Sequence, residues 1–324
     1  MQRRVYLRRL GALALGTGVA GCSESASTAS TLESGTPTTD TVTASETATT
    51  TATTTPTPDE RSLTPYRSWL VAPSPVTPYT YEFTRLSLSA VRADATASFA
   101  ESLNTYWRQR TAAYFGFEVP VESLESVLTV NHTSVANESY RIAGGAFDPA
   151  SLRDALADAG FTADGRVDDI QRFRRTEDGQ LRVVGLHPDV IVSISTEASA
   201  TAPPERAVDQ HADRTVRTDD DEALALLIDY FGTADYVTGR ELEPASEDYA
   251  LSKAVATGRR LDVRGSTSWT ERTYVLPPDA TIDRAAVEEE IRTRHVGQPI
   301  EEFHREGRIL TVAGGVENSL IRLL

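Results

Sequence analysis

A chain of 324 residues with 47 acidic and 32 basic side chains has a formal charge of −15, and 40% of it is hydrophobic. That size suits one large core or two smaller ones, and the acidic balance, with no basic stripe past the N-terminus, argues against nucleic acid as a partner. The single cysteine, Cys22, excludes an intrachain disulfide and a zinc site made from several thiolates.

Arg3, Arg4, Arg8 and Arg9 open the first 22 residues with no acid among them, and an apolar run of 11 residues, Leu10 to Ala20, follows. As a helix this run would rise about 16 Å against roughly 30 Å of hydrocarbon, too short to span a bilayer. A basic start, a short apolar core and small residues at its end predict an export signal over residues 1–22. Val19-Ala20-Gly21-Cys22 resembles a lipobox. The resemblance implies cleavage before Cys22 and lipidation of its thiol, so that the membrane is a partner; firm attachment implies two acyl chains. Arg3-Arg4-Val5-Tyr6-Leu7-Arg8 resembles the twin-arginine export motif, with Arg3 and Arg4 as its signal. Gln2 and Tyr6 stand where Ser or Thr and Phe are usual, which leaves the general secretory route open.

Residues 23–64 hold 23 Ser or Thr in 42 positions, with Pro37, Pro56 and Pro58. Such a tract buries too little surface to offset its ordering entropy, so a disordered tether is expected. As a coil it would reach roughly 35 Å on average, and its composition also suits an O-glycosylated stalk. Past Cys22 stand 47 acids against 28 bases, a charge of −19; from Pro65 onward 41 acids face 27 bases, or −14. Lys253 is the only lysine. This acidic, lysine-poor composition behind a lipobox resembles haloarchaeal exported lipoproteins, a resemblance that covers signal, tether and composition and not the body. It implies the extracellular face of the cell membrane in concentrated salt, where a Debye length of about 3 Å at 1 M removes most self-repulsion.

The body is expected in two halves, 65–200 and 201–324. Thr64 to Pro78, with four prolines, reads as an extended lead-in, and Tyr79 to Val91 as a strand carrying Tyr81, Phe83, Leu86 and Leu88, its period slipping near Thr84. Asp94 is the expected cap of a helix to Phe115, with Phe99, Leu103 and Tyr106 on one face and Gly116 as its stop. Val121 to Val130 passes from helix to strand. Asn131-His-Thr and Asn137-Glu-Ser are glycosylation sequons, read as one exposed polar loop with His132 solvated. Tyr140 to Phe147 reads as a strand. Asp148-Pro149 opens a helix with Leu152, Ala155, Leu156 and Ala159 inward. Ile170–Arg175 and Leu181–Leu186 pair about Glu177-Asp178-Gly179, and Val190–Ile194 is a further buried strand. The polar stretch Thr196 to Thr218 divides the halves.

In the second half, Asp219 to Glu222 open a helix with Leu224, Leu227, Ile228 and Phe231 inward. Tyr249–Thr257 and Thr270–Leu276 read as strands. Asp283 caps a helix with Ala286, Val287 and Ile291 inward, and Ile300–His304 pairs with Ile309–Ala313. The expected class is α+β, with helices on one face of mixed or antiparallel sheet. A βαββ order occurs twice, over 140–186 and 270–313, which points to duplicated ferredoxin-like units; chance recurrence of a common local order is the alternative.

The chemistry is sparse. Asp219 and Asp221 belong to an acid run that could take a hard cation but lacks the D-x-D-x-D-G alternation of a calcium loop; capping and the helix dipole explain it better. His295 and His304, nine apart with Glu301, Glu302 and Glu306 nearby, are the other metal or acid–base candidates. No G-x-S-x-G, S-x-x-K or H-E-x-x-H is present, so no catalytic or cofactor-binding residue is assigned and no cofactor is expected. The function these observations support is a tethered lipoprotein with a non-catalytic binding or envelope-supporting body. The alternative is an extracellular hydrolase or metal-dependent enzyme built from dispersed histidines and carboxylates. A solute receptor would need a deep cleft between hinged domains.

Overall fold

The slip in period near Thr84 marks where the sheet becomes buried on both sides. In β1 (Thr80–Ser87), Tyr81 and Phe83 pack into one core and Leu86 into another, as alternation of side chains across a strand requires. The computed structural model describes residues 66–70, 80–133, 138–167, 170–197, 221–242, 251, 253–294 and 300–318; the signal and the tether lie outside them.

Leu88 and Val91, expected to continue the strand, instead lie buried in helix α1 (Leu88–Asp94). Asp94 therefore ends a helix and does not cap the next. Thr96 caps α2 (Ala97–Phe115), its hydroxyl accepting from the Phe99 amide, and Gly116 stops it at φ 88°. The buried stripe of α2 is Leu103, Trp107, Thr111 and Phe115, four apart, with Phe99 and Tyr106 flanking it. Strands β2 (Leu124–Thr133) and β3 (Glu138–Gly145) follow. Asp148 caps α3 (Pro149–Asp158), accepting from the Ala150 and Ser151 amides. Next come β4 (Thr162–Val167), β5 (Ile170–Glu177), β6 (Gln180–Leu186) and β7 (Val190–Glu197). The second half holds α4 (Glu222–Phe231), β8 (Tyr236–Glu241), β9 (Ala256–Arg264), β10 (Thr267–Val275), α5 (Arg284–Arg294), β11 (Glu302–Glu306) and β12 (Ile309–Glu317). In α5, Val287 and Ile291 are buried as expected, whereas Ala286 is exposed.

The twelve strands form one sheet in the order β11-β12-β10-β9-β8-β1-β2-β3-β7-β6-β5-β4, every neighbour antiparallel. Its two halves run outward in the same way from the central β1–β8 pair. From β1 the chain meanders through β2 and β3, crosses with α3, and returns so that β7 lies beside β3. From β8 it meanders through β9 and β10, crosses with α5, and returns so that β12 lies beside β10. The βαββ order thus recurs within a single sheet, and the first copy carries an extra hairpin, β4–β5. Two separate ferredoxin-like sheets are not formed.

Helices cover both faces, not one. On one face α1, α2 and α3 cover a core that includes Leu86, Val127, Ala143 and Ile191, while α5 covers a smaller one with Tyr274, Leu310 and Val312. On the other face α4 packs over β8, β9 and β10, and its Leu224, Leu227, Ile228 and Phe231 belong to a core that also holds Phe83, Leu128, Ile142 and Val192. The reason is in the strands, where Val127 and Leu128, Ala143 and Ile142, and Ile191 and Val192 are apolar neighbours that point to opposite sides.

Helix α4 sits on a floor made flat by two glycines. Gly239 and Gly258 are opposite each other in β8 and β9. A Cβ on Gly239 would meet Phe83 and Leu227, and one on Gly258 would meet Phe231 and the Thr238 carbonyl. Ion pairs Arg67–Asp229 at 2.8 Å and Arg308–Glu222 at 3.0 Å flank the helix. Partly exposed pairs contribute at most about 1 kcal/mol each, so the buried Leu224, Leu227, Ile228 and Phe231 carry the attachment. Substitution Gly258→Ala is expected to cost about 1–3 kcal/mol through overpacking, read as a lower thermal midpoint with an unchanged far-UV spectrum. An unshifted midpoint would show that the helix does not rest on this floor.

Candidate functional site

The residues expected to carry chemistry do not converge. Arg3, Arg4, Cys22, Asn137, Asp219 and His295 lie outside the described residues. Asp221 is the N-cap of α4, its Oδ1 accepting from the Leu224 amide at 2.8 Å. His304 is exposed on the edge strand β11, with its Nε2 3.9 Å from the exposed Glu306 carboxylate. Among the described residues no three metal-ligating side chains come together. Asn131 and His132 stand in strand β2 and not in a loop, because β2 and β3 continue their pairing out to His132 and Glu138. Asn131 Oδ1 accepts from the Ser139 hydroxyl at 3.0 Å. His132 is buried, its ring 5.2 Å from Tyr81 and 5.1 Å from Tyr140.

Arginines gather instead, in two groups on the face that carries α1, α2 and α3. In the first, Arg141 of β3 donates to the Tyr114 carbonyl at 2.7 Å and Arg175 of β5 to the Ala159 carbonyl at 2.6 Å. The Ser193 hydroxyl donates to the Phe115 carbonyl at 2.9 Å. These oxygens end α2 and α3 and would otherwise lack intrahelical donors, and a guanidinium there also suits the negative end of each helix dipole. Arg182 lies beside Gly116. Burial, then Arg141 and Arg175, hold its pKa below the usual arginine value. This group has a structural task.

The second group lies at the centre of the sheet, between the core under α1, α2 and α3 and the core under α5. Arg240 of β8 stands opposite Glu82 of β1 on one side and Thr257 of β9 on the other. Arg259 of β9 stands between Thr238 of β8 and Arg272 of β10. These side chains, with Tyr236, line an open cavity of about 270 Å³. Arg259 Nε donates to the Thr270 hydroxyl at 2.9 Å. Burial lowers the Arg259 pKa, opposed by the Tyr236 phenol and reinforced by Arg272. Burial in turn raises the Tyr236 phenol, which Arg259 opposes. The lining offers positive charge and hydrogen-bond donors, with no serine, cysteine or histidine beside a base. Chemically it can hold an anionic group.

A second concavity, about 490 Å³, is lined by Asp94, Asp235, Asp262 and the β9–β10 turn. Asp235 Oδ2 accepts from the Val263 amide at 2.7 Å and its carbonyl accepts from the Ser87 amide at 2.7 Å, so it joins three strands. Burial raises its pKa above the ordinary 3.8, with Asp262 and Asp94 adding to the rise and the Val263 amide and Arg85 opposing it. A carboxyl with a raised folded-state pKa binds its proton more readily when folded, so stability increases as pH falls through that pKa, and the ionised group is a cost above it. Asp235→Asn keeps the acceptor for Val263. It is therefore expected to raise the melting midpoint at neutral pH, by a margin that shrinks as pH approaches 4. Parallel melts of the two proteins across that range check the sign; a constant margin would refute it.

None of the three cleft arginines belongs to a sequence motif. The signal that could have found two of them is the turn at Gly265, where φ is 60°. A hairpin centred there brings Arg259 opposite Arg272. No family model matches this chain, and no curated protein does. Among solved structures, crystal form III of TP0453 is similar with a TM-score of 0.51 at 10% identity, covering 78% of this chain and 93% of that one. Crystal form IV of the same protein is similar with a TM-score of 0.47 at 10% identity, covering 81% and 96%. At such identity the likeness to crystal form III shows the fold alone.

Proposed function

We propose that the chain is an exported lipoprotein, held at the extracellular face of the cell membrane by a lipid on Cys22, with a non-catalytic binding body. The observation that carries this is the placement of the only cysteine directly after Val19-Ala20-Gly21, behind a basic, short apolar leader and ahead of a Ser/Thr-rich tract. Among the described residues no helix is long and apolar enough to cross a membrane, in keeping with attachment through a lipid. Binding is supported by the setting of the candidate residues: Asp221 caps a helix, His304 is solvated on a sheet edge, and the arginine cleft presents positive charge and hydrogen-bond donors. Substitution Cys22→Ser is expected to move the protein from the membrane to the soluble fraction of its native host. Retention of the variant through salt and carbonate washes would sink the lipid anchor.

The charge of −14 from Pro65 onward, with one lysine, supports a body that works in concentrated salt. Dialysis from molar to millimolar salt is expected to lower its thermal midpoint or unfold it. A circular dichroism melt unchanged by that dialysis would remove the halophilic part of the proposal and leave the anchor untouched.

A further inference from the structure

Three guanidiniums meet at one small cleft in a chain whose formal charge is −15. They come from three neighbouring strands, β8, β9 and β10, and Glu82 is the one acid among the described residues that line the cavity with them. We propose that this cleft binds a tetrahedral oxyanion, the phosphate or sulfate group of a small ester or of a lipid headgroup.

The first argument is the register. Arg259 and Arg272 are directly opposite in β9 and β10, an arrangement that destabilises a sheet when both charges are alike. Three other half-buried arginines are placed against acceptor oxygens. Arg141 and Arg175 meet helix-terminal carbonyls, and Arg260, on the other face of β9, meets the Asp262 carboxylate at 2.8 Å. Arg259 donates to the Thr270 hydroxyl, and the Arg272 side chain hydrogen-bonds with the Tyr274 hydroxyl. An anion seated between the two guanidiniums would turn their repulsion into shared attraction.

The second argument is charge and shape. Three arginines against Glu82 leave two positive charges on the lining, and a phosphate monoester carries about −1.5 to −2 at neutral pH. A carboxylate has one charge and two oxygens, which a single bidentate arginine satisfies; three arginines call for an anion with more oxygens. Glu290 approaches Tyr274 from α5, and its carboxylate accepts from the Leu251 amide at 3.0 Å. It is not part of the lining. The hydroxyls of Thr238, Thr257 and Tyr236 supply further donors. At about 270 Å³ the cavity falls just below the roughly 300–1,000 Å³ of sites that enclose a whole small molecule. It therefore takes the charged group and its first carbons, and the rest of the ligand stays outside.

The test is titration calorimetry on the full chain in molar salt, with inorganic phosphate, inorganic sulfate and acetate as probes. Phosphate and sulfate are expected to bind at one site with a Kd near or below about 1 mM, and acetate about tenfold more weakly. Arg259→Gln and Arg272→Gln should each weaken phosphate about tenfold, whereas Glu82→Gln, which removes the opposing charge, should tighten it. Thr238→Glu keeps all three arginines, places a carboxylate opposite Arg259 and should abolish binding. Melts of each variant separate loss of the site from loss of the fold. To distinguish the sources, the full chain carrying Cys22→Ser is sedimented with vesicles of phosphatidic acid in phosphatidylcholine. Co-sedimentation that inorganic phosphate competes away assigns a headgroup, and phosphate binding without co-sedimentation assigns a soluble ester. No phosphate binding by the parent chain, acetate binding as tight as phosphate, or unchanged affinity in both Arg259→Gln and Thr238→Glu would overturn the proposal.

Discussion

The pairing of β1 with β8 is the interaction on which the rest of the body depends. Five register pairs, from Glu82 with Arg240 to Leu86 with Tyr236, make the one strand pairing between the two meanders among the described residues. Without that seam each half would end in an unpaired strand edge, with its backbone donors and acceptors open to other chains. Both faces of the seam are also put to use. On one, Phe83 and the flat glycine pair receive α4; on the other, Glu82, Thr238 and Arg240 form the polar floor of an open cavity. Alternation along a strand makes these two uses compatible, because Tyr81 and Phe83 of β1 serve the core while Glu82, between them, faces the cleft.

The preference for arginine over lysine has structural consequences beyond net charge. A guanidinium remains ionised when half-buried and offers several donors in a fixed plane. Arg92 shows the advantage: its Nε meets the Asn104 amide oxygen at 2.9 Å, while its terminal nitrogens meet the Leu124 and Val121 carbonyls at 2.6 and 2.9 Å. One side chain thus ties α1 to α2 and to the start of β2. A lysine at that position could supply the charge but not the planar fork. Arg141 and Arg175 use the same property to close the ends of α2 and α3.

Local chemistry made part of the fold legible. Asp148-Pro149, Asp221 and the Gly179 turn each announce an element, and α3, α4 and the β5–β6 hairpin stand where those residues place them. Elements without such punctuation were harder to see. Strand β4, Thr-Ala-Asp-Gly-Arg-Val, has no apolar alternation because it is an outer strand that buries little. Strand β9 was expected to end at Thr257, since Gly258, Arg259 and Arg260 interrupt any apolar pattern, yet those three are its middle. Gly258 is there to admit Phe231, Arg260 to meet Asp262, and Arg259 faces the cleft. His132 misled for the opposite reason. A polar residue inside a sequon reads as solvated, but its ring is enclosed by Tyr81 and Tyr140 once the strands pair. The cleft itself was invisible to any linear pattern, because its arginines are 13 or more positions apart and only strand register brings them together.

An acidic body with one cationic cleft poses an electrostatic problem whose solution depends on its solvent. At low ionic strength the long-range field of a surface charged at −14 repels the very anion that the cleft would attract at short range. Raising salt shortens the Debye length to about 3 Å at 1 M, which removes the distant repulsion. Contacts between a bound anion and the half-buried Arg259 lie within that length and are screened less. Salt therefore acts in the same direction on fold and site: the screening that relieves self-repulsion of the body also lets an anion reach its floor. The opposing effect is competition from the salt's own anion. A halide is a sphere of one charge without fixed acceptor directions, whereas a tetrahedral oxyanion carries more charge and presents a separate oxygen to each guanidinium. Geometry, more than charge, would then decide the occupant in brine.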